Sequence, residues 1–293
     1  MTTSAAHYKT HLGPVYSWML GDLDAAFARS AREIEDLPLP AAGGVAVDLG
    51  AGLGLHALGL AKRGFEVVAI DTCQALLDEL KSRGGSLPIT IHLGDLVEFR
   101  RFVPGQAQVI VCMGDTLTHL PALSAVDSLL SAVAGALPRA GVFAATFRDY
   151  ATAELEGDKR FILVRADESR IFTCFLEYQN HQVMVHDLLH EKEHGQWRQA
   201  VSSYPKLRLA PALKPPIPVG LAGSTVKLTV PGTRFVLLAV SRVASCALVG
   251  RNIRNRQHSP VAPAIRAACA ARCFSPTRRD PLLRQSIFPG SRL

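Results

Sequence analysis

The sequence lacks what a membrane span, a secreted scaffold or a serine hydrolase would require. Its longest apolar run, residues 235–249, is interrupted by Arg242 and falls short of the ~20 residues a helix needs to cross a bilayer. The first thirty residues carry His7, Lys9, Asp22, Asp24 and Arg29 without the apolar stretch of a secretion signal, so a soluble, cytoplasmic protein is expected. Cysteines stand at 73, 112, 174, 246, 269 and 273, scattered rather than framed as pairs, which favours reduced thiols. Cys269 and Cys273 have no second pair to complete a tetrahedral metal site. No G-x-S-x-G run occurs, so the sequence offers no nucleophile elbow.

Acidic residues are almost missing from one stretch. Residues 244–293 hold nine arginines, no lysine or glutamate, and Asp280 alone as an acid, whereas residues 1–243 hold 23 basic and 24 acidic side chains. The net charge of +7 therefore belongs to the tail, and the body lacks the interleaved basic and aromatic residues of a nucleic-acid groove. Prolines and serines break every apolar segment of the tail, so it is expected to be disordered. It reads more like translation beyond an original stop than an evolved domain, with a polyanion-binding basic arm as the competing reading.

What is present is concentrated in residues 45–71, VAVDLGAGLGLHALGLAKRGFEVVAID. Val45, Val47 and Leu49 alternate as in a strand, Gly50, Gly52 and Gly54 follow, residues 55–62 read as a helix and residues 66–70 as a second strand. Residues without Cβ let the backbone touch a ligand, and a helix starting near Leu55 aims free N–H groups into the same crevice. Asp71 ends the second strand about twenty residues after the loop, where a carboxylate can hold a ribose hydroxyl pair. A nucleoside-containing cofactor is expected. Spacing narrows the class, because a dinucleotide fingerprint runs G-x-G-x-x-G and here Leu55 holds the third glycine position. Asp48 adds a carboxylate that would sit badly beside a pyrophosphate and well beside an ammonium group.

The run DLGAGLG, from Asp48 to Gly54, resembles motif I of the class I S-adenosylmethionine-dependent methyltransferases. That resemblance implies S-adenosyl-L-methionine as cofactor. It carries the contacts over to Asp48, Gly50, Ala51 and Gly52 in the loop, Asp71 and Thr72 after the second strand, Asp95 and Leu96 after the third, and Met113 at the fourth. Tyr16 is a candidate contact from an N-terminal segment lying over the cofactor. Residues 114–120 take the place where substrate and the methionine end meet in the family. Arg148-Asp149-Tyr150 resembles the Arg-Asn-Tyr run of the glycine and sarcosine N-methyltransferase group, which makes Arg148 a candidate for holding a substrate carboxylate. If the nucleophile carries a proton, His119 has the most suitable ordinary pKa for a base, with Asp115 and Tyr150 behind it. The implied acceptor is the O or N of a small molecule. A non-catalytic S-adenosylmethionine-binding protein or regulatory subunit is the alternative, and no specific nucleic acid, membrane or metal is expected.

Around this unit, strand-like residues 89–93, 108–113 and 141–147 alternate with helical residues 74–82 and 121–137. The fold class is α/β, a doubly wound, Rossmann-like and mostly parallel sheet. Residues 160–209 alternate without helices and read as an antiparallel β insertion after the fifth strand. Residues 225–230 and 234–240 read as a closing hairpin, and Pro211, Pro215, Pro216 and Pro218 forbid the helix expected before it. The chain thus divides into a lid segment at 1–40, a methyltransferase domain at 41–243 and the tail at 244–293. His190 and His194 complete an H-E-x-x-H match, but Val183, Val185, Asp187 and Leu189 alternate with period two. On a strand the two histidines stand roughly 13 Å apart, too far for one zinc ion.

Overall fold

Alternating strands and helices carry the chain through residue 148 in the computed structural model, which describes residues 2–152, 154–209, 226–229 and 235–241. All of these belong to one compact unit, Met1–Cys246. The expected tail at 244–293 and the proline-rich 210–219 lie outside the described residues.

The N-terminal segment is one irregular helical run. α1 (Ser4–His7) is capped by Thr3, whose hydroxyl accepts from Ala6 N–H, and continues through a π turn at Tyr8–Leu12 and a 3-10 turn at Gly13–Val15 into α2 (Tyr16–Leu20). Pro14 has no N–H to donate, which accounts for the change of helix type there. Asp22 then caps α3 (Leu23–Glu35) by accepting from Ala25 N–H.

β1 (Val45–Leu49), α4 (Leu55–Lys62), β2 (Glu66–Asp71), α5 (Gln74–Gly84), β3 (Ile89–Leu93), β4 (Val109–Cys112), α6 (Leu123–Ala136) and β5 (Val142–Arg148) follow. The insertion consists of β6 (Phe161–Ala166), β7 (Arg170–Tyr178), β8 (Gln182–Glu193) and β9 (Gln196–Leu207), paired antiparallel in that order as a separate sheet. The closing strands are β10 (Val226–Thr229) and β11 (Phe235–Ser241), the latter antiparallel to β5. The large sheet therefore reads β10-β11-β5-β4-β1-β2-β3, with β1 to β5 parallel.

Strand alternation splits the core into two layers. Val47, Leu49, Ile110 and Phe143 pack with α6, while Ala46, Val67, Ala69 and Val111 pack with α4 and α5. Each fully buried leucine or valine stabilises by about 1.5–3 kcal/mol, so the parallel strands are apolar on both faces. In the insertion, Phe172, Val183, Val185 and Leu189 are buried on one face, and Met184 and Leu207 at one end of the other. Pro205 is tolerated within β9 because that strand is an edge. His190 lies on β8 and His194 in the tight turn after it, at φ 49°, so the helix that H-E-x-x-H needs is not formed. Among the described residues no His, Cys, Asp and Glu cluster is arranged to hold a metal ion, and no helix is long and apolar enough to cross a membrane.

Candidate active site

The site begins where β1 ends. Gly50 and Gly52 take positive φ, 78° and 51°, in the loop before α4. A Cβ on Gly50 would stand 2.4 Å from Thr116 Cγ2, whereas one on Gly52 would meet only Leu76 Cδ1, at 3.9 Å. Asp71, at the end of β2, accepts from Gly52 N–H with Oδ2 and from Cys73 N–H with Oδ1, both at 2.8 Å. The neighbouring strand end therefore holds the glycine loop in shape.

A cavity of about 650 Å³ opens at the carboxyl ends of β1 to β4, between them and the N-terminal run. It is lined by Gly50, Ala51 and Gly52 from the loop, Asp71 and Thr72 after β2, Asp95 and Leu96 after β3, and Met113 after β4. Tyr8 and Tyr16 close it from the N-terminal run. Asp95 also caps the 3-10 turn at Leu96–Arg101 by accepting from Val97 N–H at 3.0 Å.

These residues fit a nucleoside-containing cofactor. The space a Gly52 Cβ would take opens onto the cavity, so a ligand can approach the backbone. Each Asp71 oxygen accepts one N–H and retains capacity for a hydroxyl donor. Burial raises the Asp71 carboxyl above its ordinary pKa, opposed by the backbone N–H groups of Cys73, Gly52 and Thr72. No lysine or arginine lines the cavity among the described residues.

At the far end the wall is aromatic. His119 lies edge-on to Tyr8, with ring centroids 5.5 Å apart, and stacks against Tyr204 of β9 at 5.5 Å. Tyr204 stacks in turn on His7, at 4.0 Å. The His7 imidazole is bonded to Asp187 Oδ2 at 2.9 Å and to the Ser202 hydroxyl at 2.8 Å, which fastens the N-terminal run to the antiparallel sheet. His119 Nδ1 is buried without a hydrogen-bond partner among the described residues. Burial first, and the Lys206 charge second, lower the His119 pKa to about 3, so the ring is neutral.

Four residues singled out in the sequence stand off the cavity lining. Asp48 is 1 % exposed, on the same face of β1 as Ala46, so alternation turns it under the first turn of α4 rather than towards a ligand ammonium. Burial raises its pKa to about 6, and its Oδ2 has no partner among the described residues. Asp115 has its lone pairs filled. Oδ1 accepts from Arg148 N–H at 2.9 Å and the Thr118 hydroxyl at 3.1 Å; Oδ2 accepts from Lys206 at 2.5 Å and the Tyr150 hydroxyl at 3.3 Å. Burial alone would raise the Asp115 carboxyl, but Lys206 and Arg148 hold it below the ordinary value. Tyr150 is buried and raised by that burial, and the half-exposed Arg148 guanidinium lies 4.0 Å from Asp115. Asp115, Tyr150 and Arg148 thus stand beside the cavity rather than in its lining.

Reading along the chain missed Tyr8, His7, Tyr204 and Lys206. The last two sit two apart in YPK, both on the buried face of β9, with Pro205 between them lining the cavity. A lysine in phase with a buried tyrosine on a strand was the available signal. His7 has no local pattern that would single it out.

Residues 46–141 match the model of a methyltransferase domain. No curated protein matches the chain. Among solved structures, the CcbJ methyltransferase from Streptomyces caelestis superposes with a TM-score of 0.66 at 19% identity, covering 82% of this chain and 100% of that one. The sugar N-methyltransferase KedS8 from Streptoalloteichus sp. gives 0.62 at 16% identity, covering 79% and 92%. The amino pentose methyltransferase CalS10 from Micromonospora echinaspora gives 0.59 at 18% identity, covering 80% and 97%. At these identities the likeness is one of fold. Residues 46–141, which hold the glycine loop and the strand ends, are thus a methyltransferase domain, set in the fold of S-adenosylmethionine-dependent methyltransferases and with S-adenosyl-L-methionine as the cofactor.

Proposed function

We propose that the enzyme methylates a small molecule and that the atom methylated is an amine nitrogen rather than a hydroxyl oxygen. The observation that carries this is the neutral His119 at the end of the cavity, its Nδ1 without a hydrogen-bond partner among the described residues, beside a fully engaged Asp115. An alcohol or phenol must lose a proton to attack. A ring lowered to about 3 is a poor base for it, and Asp115 has no lone pair to offer. A neutral amine attacks with its own lone pair, and the proton it sheds afterwards can pass to water. The burial and Lys206 charge that keep His119 neutral also favour an uncharged amine beside it. Two of the structural neighbours are described as a sugar N-methyltransferase and an amino pentose methyltransferase, so amino sugars head the acceptor class.

S-adenosyl-L-methionine, when bound, supplies an electrophilic methyl group on a sulfonium sulfur. In this reading Asp71 accepts from the ribose hydroxyls, Asp95 and Leu96 meet the adenine, and Ala51 and Gly52 border the loop side. Tyr8 and Tyr16 exclude water from the reacting end, and His119 accepts an N–H of the acceptor to aim its lone pair. A turnover screen with amino sugars and other amines in one panel, and the matching hydroxyl compounds in another, tests the reading by mass spectrometry. N-methyl products are expected. Exclusive O-methylation would overturn the choice of nitrogen.

A further inference from the structure

Register sets Cys174, Asp187 and Ser202 side by side across β7, β8 and β9. His7, the last residue of α1, meets this row, and neither His7 nor Asp187 is reached by solvent or lines the cavity. Asp187 Oδ2 accepts from His7 Nε2 at 2.9 Å, and the Ser202 hydroxyl bonds His7 Nδ1 at 2.8 Å. The Cys174 thiol donates to the other Asp187 oxygen at 2.8 Å, so the carboxylate is itself held from two sides. With a partner on each nitrogen, the imidazole can neither flip nor turn without breaking a buried hydrogen bond.

His119 is held differently. Its buried Nδ1 has no hydrogen-bond partner among the described residues, so no polar contact at that nitrogen sets the plane of the ring. Other rings set it. Tyr204 lies against His119 at an interplanar angle of 18°, and Tyr8 stands edge-on to it at 81°. Both of these depend on His7, because Tyr204 stacks on its imidazole at 26° and 4.0 Å and Tyr8 is the next residue in the chain.

We infer that His7, anchored by Asp187, is a positioning residue for methyl transfer: it fixes the plane of Tyr204 and the place of Tyr8, and through them the ring of His119. The inference rests on His119 aiming the lone pair of the acceptor. Ring contacts constrain orientation weakly compared with a pair of hydrogen bonds, so the stack keeps its alignment only while its far end is anchored. Transfer needs the nucleophile in line with the sulfonium methyl, so a turned His119 costs rate rather than cofactor binding.

Nuclear magnetic resonance of the full chain, carbon-13 labelled in histidine and saturated with S-adenosylhomocysteine, reads the ring directly. The His119 signal is identified by its loss in His119→Gln. His7→Phe keeps an aromatic ring in the stack and removes both hydrogen bonds. Because it strands Asp187, His7→Phe with Asp187→Leu, which removes both partners, is measured beside it. The His119 signal should move or split in either variant that shows a melting transition, since the ring currents of Tyr204 and Tyr8 fall on it differently. With an amine found to be methylated, kcat should fall at least tenfold, while S-adenosylhomocysteine affinity changes by less than about threefold. In a His119→Gln background the same substitutions should cost no further rate, because their effect passes through His119. An unmoved His119 signal in the folded double variant overturns the inference alone, as does an equal loss of kcat in both backgrounds. Full turnover by His119→Gln overturns instead the role given to His119, and the inference with it.

Discussion

Lys206 on β9 places its ammonium 2.5 Å from Asp115 Oδ2, joining the antiparallel sheet to the turn that follows β4. Both groups are buried. Removing one member of such a pair strands the other charge, at a typical cost of about 3–5 kcal/mol. Arg148 remains 4.0 Å from Asp115, so Lys206→Met is expected at the lower end, about 3 kcal/mol. The pH dependence follows from the two shifts, which describe one interaction and count once. The Asp115 carboxyl is depressed, so its contribution is present above the ordinary value of ~3.9 and is lost as pH falls through its lower folded value. Burial would lower the Lys206 ammonium, but Asp115 and Tyr150 raise it, so its contribution is present below ~10.4 and is lost as pH rises through its folded value. Urea unfolding of wild type and Lys206→Met at neutral pH should show a clear drop in midpoint; an unchanged midpoint would contradict the pairing.

Asp48 runs the other way. Its folded pKa of about 6 lies above the unfolded value, so between pH ~4 and ~6 the native state binds the extra proton and stability falls as pH rises. Asp48→Asn carries no such loss. Near pH 4 the two proteins should melt together, and at pH 8 the variant should be more stable by roughly 1–3 kcal/mol. Because Asp48 stands off the cavity, cofactor affinity should stay within about twofold, well under the tenfold that 1.4 kcal/mol represents. Calorimetric melting across that pH range, with S-adenosylhomocysteine titration at pH 8, checks both statements.

The two glycines of the loop should fail differently. Gly52→Ala strains a positive φ by about 1–2 kcal/mol and otherwise directs its methyl into open cavity. It should fold and lose S-adenosylhomocysteine affinity at least tenfold. Gly50→Ala carries the same strain and drives its methyl into Thr116, whose hydroxyl is held by Met113 C=O at 2.8 Å. Its melting temperature should fall further than that of Gly52→Ala, and a reversed order would count against the loop geometry.

Much of this architecture was legible because its signals are local. The period-two runs that became β1 to β9 and the glycine loop with Asp71 can each be read within a few residues, and ten of the fourteen candidate site residues line the cavity. What escaped depends on contacts far apart in the chain. His7 meets Asp187 across 180 positions, and Asp115 meets Lys206 across 91. Asp48 was misread for a different reason: its place at the strand tip is visible in sequence, but the side of the sheet it faces follows from strand alternation and the packing of α4. The β insertion was legible as strands, yet nothing in the local pattern told which of its faces meets the site.

Titration of S-adenosylhomocysteine into wild type and Asp71→Ala, with NAD as the competing cofactor class, tests the central claim most directly. Hydrogen bonds to a charged acceptor are worth roughly 1.5–3 kcal/mol each, so the account predicts a loss of tenfold or more in affinity in a variant whose melting transition shows it folded. Wild type should take up one S-adenosylhomocysteine per chain and give no heat with NAD. Equal affinity in the folded Asp71→Ala protein, or binding of NAD in its place, would contradict it.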